Sequence, residues 1–423
     1  MSRSGAVSAG WVLPVDGPPL RDARVTWEDG VIAAVEPGRA ARHLEDGVVL
    51  PGLVNAHSHL EYAVYAGFGD GLPFARWILV HMERKRRLGL PEMEAIARAG
   101  AADCLASGVT TVGDCSFTGV SAPACAELGL RAIVYLEVFE SDGRTARFER
   151  NRDRIAPALS DRVRLGISPH APYTCGLGLY EEAFGLGLPV ATHLNESRDE
   201  LDWLADGTGP WEPLASELPP PLGRSGIRAL AAAGLLRPEL LAAHCVVVDD
   251  EEVGLLARHD VAVAHCPRSN ALLGCGTAPL AELRAAGVRV GLGTDSPAST
   301  PSFDMFDEMR AAVAAARARE RRGDALGAAE ALELATLGSA RALRLEREVG
   351  SLTPGKRADL TVLDLAGSPY DPVEDPAVAA VFGGSPARVV ETIVDGETRY
   401  RQGETAWHEV RSIASAARRR MLA

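Results

Sequence analysis

The 423-residue chain has little cysteine and no cysteine pattern: its seven residues, at positions 104, 115, 125, 175, 245, 266 and 275, are odd in number and include no CxxC pair. That excludes a disulfide framework or a zinc ribbon as the organising device. An excess of positive charge is also missing. Lys+Arg 44 against Asp+Glu 57 leaves a net charge of −13, so a nucleic-acid partner is not expected. Basic residues cluster only locally, at 84–87 (RKRR), 317–322 (RARERR) and 418–420. These read as solvated helix faces or a tail, with an anion site as the alternative. No apolar run reaches bilayer length, and the opening MSRSGAVSAGWVLPVDGPP lacks the sustained apolar stretch of a leader. The expectation is a cytoplasmic protein with no membrane partner.

What is present is a hydrophobic content of 47%, enough for a large core, and a rhythm. Eight short apolar or β-branched runs occur at 48–59, 108–114, 131–138, 163–172, 188–196, 240–248, 261–267 and 288–297. Alanine-rich segments with helical spacing lie between them, so the order predicts a parallel sheet. Eight such units over about 250 residues fit a (β/α)8 TIM barrel, with an open doubly wound sheet as the alternative. The polar residues favour the barrel. His57, His59, His170, His193, His244, His265 and Asp295 all fall at the C-terminal ends of runs, where barrel enzymes carry their chemistry.

The flanks alternate apolar and polar residues around DG and PG turns, which suits antiparallel strands. Residues 1–47 and 348–423 are expected to pair into one small composite β-sandwich with a C-terminal tail, leaving 48–347 for the barrel. The proline-rich 216–223 reads as a loop between strands five and six.

On a strand, His57 and His59 project from one face while Ser58 points away. Alone, NAHSHL fits a solvated strand end as well as a metal site. With His193 from strand five and Asp295 from strand eight, the four residues offer three nitrogens and one oxygen, a donor set suited to one divalent ion, Zn2+ ahead of Fe2+. In a closed barrel, strands one and eight are neighbours.

HSH on strand one, THLNE on strand five, AHC on six, HCPRSN on seven, GTDSP on eight and the trailing GSLTPGKRADLTVLD together resemble the amidohydrolase superfamily along nearly the whole chain. The resemblance is to its one-metal branch, which includes cytosine, guanine and S-adenosylhomocysteine deaminases and triazine chlorohydrolases. Strand four, LGISPHAPYTC, has no lysine to carboxylate, unlike the two-metal hydrolases. The PCxxC ligand pattern that accompanies HxE in cytidine-type deaminases is absent.

The resemblance implies a hydrolytic deaminase. Glu196 becomes the proton shuttle to a ring nitrogen, Asp295 a ligand that also moves a proton, and His244 the group that holds water or the developing oxygen. Each has a structural alternative: a helix-start carboxylate for Glu196, a hydrogen-bonded core histidine for His244, a helix cap for Asp295. His265 and Asn270 are expected either to hydrogen-bond the metal-site residues from behind or to contact the substrate.

For a nucleoside-like substrate the resemblance puts His170 near the sugar and Trp77 on a closing loop, with a buried anchor as the alternative for Trp77. AHSHLEY looks closest to bacterial aminodeoxyfutalosine deaminases of menaquinone biosynthesis. Arg84, or its neighbours 85–87, is then expected at the benzoate tail, and Glu61 at the sugar or capping the loop. S-adenosylhomocysteine, methylthioadenosine or guanine deamination, a triazine chlorohydrolase and a noncatalytic barrel binding protein are the alternatives. Relatives of this kind are often multimers, so a homo-oligomer is a further expectation.

Overall fold

A computed structural model describes residues 3–142 and 145–423. Eight parallel strands form one sheet in strict chain order: Leu53–Ser58, Val109–Ser116, Arg131–Val138, Val163–Pro169, Val190–Leu194, Leu240–His244, Ala262–His265 and Val290–Leu292. Consecutive pairing with helical connections is the barrel's signature and rules out the open doubly wound alternative, whose strand order reverses. The sheet closes on itself at its C-terminal rim. Ser58 and Asp295 form a parallel bridge, the Asp295 N–H donates to His57 O at 3.0 Å, and Asn55 and Thr294 exchange two hydrogen bonds. The closing contacts therefore lie beside the histidine pair itself.

The chain ends supply a second, mixed sheet of seven strands: Gly5–Val12, Leu20–Glu28, Val31–Pro37 and His43–Pro51 from the front, Leu360–Asp364, Val389–Val394 and Glu397–Arg401 from the back. All seven are hydrogen-bonded as one continuous sheet with a core cluster of its own, in which Val25, Val49, Leu360 and Ile393 are buried. The run 48–59, read as a single strand, is in fact divided. Val48 and Val49 pair with Leu363 and Val362 in this sheet, and the barrel strand begins only at Leu53. Gly52 marks the division, because a Cβ there would lie 2.1 Å from Thr110 Oγ1 and only glycine passes so close.

The expected C-terminal tail is a helix, His408–Leu422, packed against the barrel helix Leu90–Ala106. Val410, Ala414, Ala417 and Met421 are its buried positions, spaced 4, 3 and 4. Residues 216–224 hold neither helix nor strand, as the prolines require. No helix among the described residues is long and apolar enough to cross a membrane.

Candidate active site

The C-terminal ends of strands one, five, six and eight bring four imidazoles and two carboxylates together. The His57 ring centroid lies 4.9 Å from those of His59 and His193 and 5.6 Å from that of His244. His59 Nε2 faces His193 Nε2 at 3.2 Å, and Asp295 Oδ1 stands 3.5 Å from His59 Nε2 and 3.8 Å from His57 Nε2. His244 Nε2 is 3.7 Å from Glu196 Oε1. His57 Nε2 and His244 Nε2 are buried with no hydrogen-bond partner among the described residues. Buried polar nitrogens without partners are costly unless something else satisfies them.

The outer nitrogens identify the tautomers. His193 Nδ1 lies 2.9 Å from His170 O and His244 Nδ1 2.9 Å from Asn270 Oδ1, both acceptors, so Nδ1 carries the proton in each ring and Nε2 presents a lone pair inward. Burial first, then the neighbouring imidazoles, hold His57 and His193 well below the usual histidine range, so these rings are neutral. Asp295 is the counterpart. Burial pushes its carboxyl up, but His59, His244, the Ser299 hydroxyl and His193 together outweigh burial and hold it below its ordinary value. Its Oδ2 accepts from Ser269 Oγ at 2.7 Å and Ser299 Oγ at 2.6 Å, leaving Oδ1 toward the histidines. Imidazole nitrogens converging on one carboxylate form a donor set able to hold a divalent cation.

Glu196 differs. Burial, and secondarily the Asp295 charge, push its carboxyl well above its ordinary value, which favours the protonated form. Its backbone is held by Glu200, which accepts from the N–H groups of Asn195 at 3.0 Å and Glu196 at 2.7 Å.

Above this floor a cavity of about 550 Å³ opens, large enough for a nucleoside. His59, His193, Glu196 and Asp295 reach it from below, and Trp77, Phe117, Phe139, His170, Tyr173 and Trp211 form much of its wall. His170 is stacked on Phe139 with ring centroids 4.9 Å apart. Trp77 lies on the helix Phe74–Lys85 rather than on a loop, half-buried at the cavity wall, with its Nε1 donating to Ala298 O at 3.1 Å.

Two expected substrate contacts are corrected. Glu61 is fully buried off the cavity and accepts from Ser116 Oγ, Thr118 N and Thr118 Oγ1, so it pins the loop after strand two. The 3-10 turn Leu60–Tyr62 rotates it away from the floor. Arg84 also points elsewhere, its guanidinium over the Phe68 ring at 4.1 Å; Lys85 and Arg86 of the same run line the cavity instead. Asn270 takes the hydrogen-bonding role through His244, whereas His265 is buried away from the cavity, with Nδ1 unpartnered among the described residues.

Several site residues escaped the sequence. Glu137, at the end of strand three, is buried on the cavity wall 3.9 Å from His59 Nδ1, and burial raises its carboxyl above the ordinary value. Its signal was available, an acidic residue closing the apolar run RAIVYLEV. Ser269, Ser299 and Glu200 act through other residues, and nothing in their local sequence announces it.

Residues 48–399 match the family described as the amidohydrolase family. A 5′-deoxyadenosine deaminase of Methanothermobacter thermautotrophicus is 33% identical, the alignment covering 92% of each chain. A 5-methylthioadenosine/S-adenosylhomocysteine deaminase of Moorella thermoacetica is 32% identical over 97% of each chain. Among solved structures, an adenosine deaminase from Xanthomonas campestris with bound zinc shares the fold with a TM-score of 0.88 and 29% identity, covering 98% of this chain and 97% of that one.

Proposed function

Because the chain belongs to the amidohydrolase family, whose members are metal-dependent, we propose that it is a hydrolytic deaminase of an adenine-type nucleoside altered at its 5′ position. The observation that carries this reading is the floor of the cavity: imidazole nitrogens of His57, His59, His193 and His244 gathered with the carboxyl groups of Asp295 and Glu196 under an aromatic-walled space.

In this reading His57, His59, His193 and Asp295 hold one divalent ion, which supplies Lewis-acid activation of water at neutral pH. The aromatic wall takes the base by stacking. Glu196 gives its proton to a ring nitrogen, which makes the amino-bearing carbon more electrophilic. His244, with Nδ1–H held by Asn270, offers the Nε2 lone pair to the attacking water and orients it. Asp295 takes the proton that water loses and passes it to the departing amine, while Glu196 takes back the proton of the newly added hydroxyl; a C–O bond forms, the C–N bond breaks, ammonia leaves a carbonyl behind, and both carboxyl groups return to their starting states. His170, facing the cavity with its Nδ1 on Thr174 Oγ1 at 2.9 Å, is assigned to the sugar.

A second reading is favoured by one feature. Lys85, Arg86 and Arg147 line the same cavity, and this basic side suits a substrate with an anionic tail, as aminodeoxyfutalosine has. A panel of adenosine, 5′-deoxyadenosine, methylthioadenosine, S-adenosylhomocysteine, aminodeoxyfutalosine, guanine, cytosine and a chlorotriazine, followed by ammonia, chloride and mass change, tests both. The expected result is ammonia from 5′-substituted adenosines, with the tailed anionic ones preferred under the second reading. Chloride release alone, or turnover confined to guanine or cytosine, overturns the proposal.

A further inference from the structure

Two arginine runs expected as solvated faces meet each other beside the cavity. The guanidinium carbons of Arg84 and Arg418 lie 4.1 and 4.2 Å from the centroid of the same ring, Phe68. Arg418 also donates to the carbonyls of Val64 and Ala66, while Arg84 and Arg87 donate to Met421 O at the end of the C-terminal helix. Like charges so close repel, and the arrangement stands because the ring face and the carbonyl oxygens offer each cation a negative partner.

What this clamp holds is the segment between the strand-one histidines and the helix Phe74–Lys85, which carries Trp77 and Lys85 on the cavity wall. Within it Gly67, Gly69 and Gly71 have φ of 79°, 76° and 73°, and a Cβ at Gly67 or Gly71 would meet nothing within 4 Å. Three left-handed glycines in five residues leave the segment free to adopt many paths. The position of the helix is therefore fixed by its contacts, and Phe68, between two of those glycines, is the ring the arginines grip.

The C-terminal helix is a fixed post for that grip. Along its length Val410 and Ala414 pack with Ala99, Arg411 pairs with Asp103, and Arg420 pairs with Glu92 of the barrel helix.

We propose that the C-terminal helix sets the position of the substrate-covering helix Phe74–Lys85 through Arg418, which makes Arg418 a positioning residue for substrate binding. The proposal rests on the reading above only in taking the cavity as the substrate site. It is tested by hydrogen exchange and kinetics on the full-length, metal-loaded protein. Arg418→Ala is expected to speed amide exchange in residues 60–88 about tenfold while the helix Leu90–Ala106 exchanges as before. With a substrate found in the panel, KM rises about tenfold and kcat stays within about threefold, as for a loss of uniform binding. Arg418→Lys, able to keep one carbonyl bond, restores part of the KM. Arg419→Ala, at the exposed neighbouring position of the same helix, leaves both readouts unchanged, and Phe68→Leu reproduces the exchange effect from the other side. Unchanged exchange at 60–88 in Arg418→Ala, or an equal effect from Arg419→Ala, overturns the proposal. Should no panel compound be consumed by the unmodified protein, the functional reading fails while the exchange comparison still decides the role of Arg418.

Discussion

Removing the two hydroxyls behind Asp295 should weaken metal binding without touching any residue in the donor set. Asp295 Oδ2 accepts from Ser269 and Ser299 at 2.7 and 2.6 Å, and both serines are buried. A hydrogen bond to a charged group contributes about 1.5–3 kcal/mol, so the pair stabilises the carboxylate by an upper bound of about 3–6 kcal/mol. A water entering the space of two lost hydroxyls recovers part of that. The remainder is expected to appear as a 10–100-fold loss of affinity in Ser269→Ala/Ser299→Ala, roughly what partners of metal ligands cost elsewhere. Each single variant should lose less than half as much on a logarithmic scale, because one hydroxyl still satisfies Oδ2. The deficit should also depend on pH. Without its donors the carboxyl binds a proton more readily, and a proton competes with the ion for the same group.

The assay is a titration of apoprotein with zinc against a chromophoric chelator at several pH values. The double variant's deficit should shrink as pH rises. Affinity within about threefold of the unmodified protein, or a deficit independent of pH, would refute the argument that these hydroxyls tune the carboxylate.

Three further outcomes follow from the same geometry. Glu196→Gln should keep the metal, measured by elemental analysis, and lose about a thousandfold in kcat; turnover above a tenth of normal would remove Glu196 as the proton carrier. Glu200→Gln replaces one of the two oxygens that accept from Asn195 N and Glu196 N with a donor, and steady-state kinetics should show kcat about tenfold lower with metal content intact. Asp395 is ion-paired with the buried Arg131 and with Arg162; although burial alone would raise its carboxyl, these guanidinium groups hold it below the ordinary value. A depressed carboxyl stabilises the fold above its unfolded value, near 4, and that contribution is lost as pH falls through the folded value. Asp395→Asn should therefore lower stability by about 3 kcal/mol at neutral pH, and the difference in thermal midpoint from the unmodified protein should close below about pH 4; a gap of constant size would disprove the linkage.

The barrel was legible because each strand is short and largely apolar, with a polar residue at or within a few residues of its C-terminal end, and each of the eight runs overlaps a strand. What blurred was the seam between sheets, where Val48–Pro51 and Leu53–Ser58 are both buried and read as one apolar run. The C-terminal helix was hidden by composition. Arginines at 411 and 418–420 suggested a tail, although the apolar spacing 410, 414, 417, 421 was there to be read. In the site, His57, His59, His193, His244 and Asp295 come together because strand direction aims them, whereas His265, also at a strand end, is buried away from the cavity. Residues in the connections are not aimed this way. Glu61 and Arg84 lie near the histidines in sequence, yet a 3-10 turn and the pull of Phe68 direct them elsewhere, while Glu137 arrives from a different strand.

The backbone shows where that difference matters. Asn195, His244 and Asp295 have φ of 50°, 73° and 57°, so three strand ends at the cavity floor hold non-glycine residues in the left-handed region. Such conformations cost about 1–3 kcal/mol each and persist only where surroundings fix them. Here the fixing groups are visible: Glu200 on the Asn195 N–H, Leu194 O accepting from Cys245 N beside His244, and His57 O accepting from Asp295 N. The Asp295 bond is the one that closes the barrel between strands eight and one. Closure of the sheet and aim of the carboxylate are therefore the same event, and a substitution that loosened that seam would lose the donor set before it lost the fold.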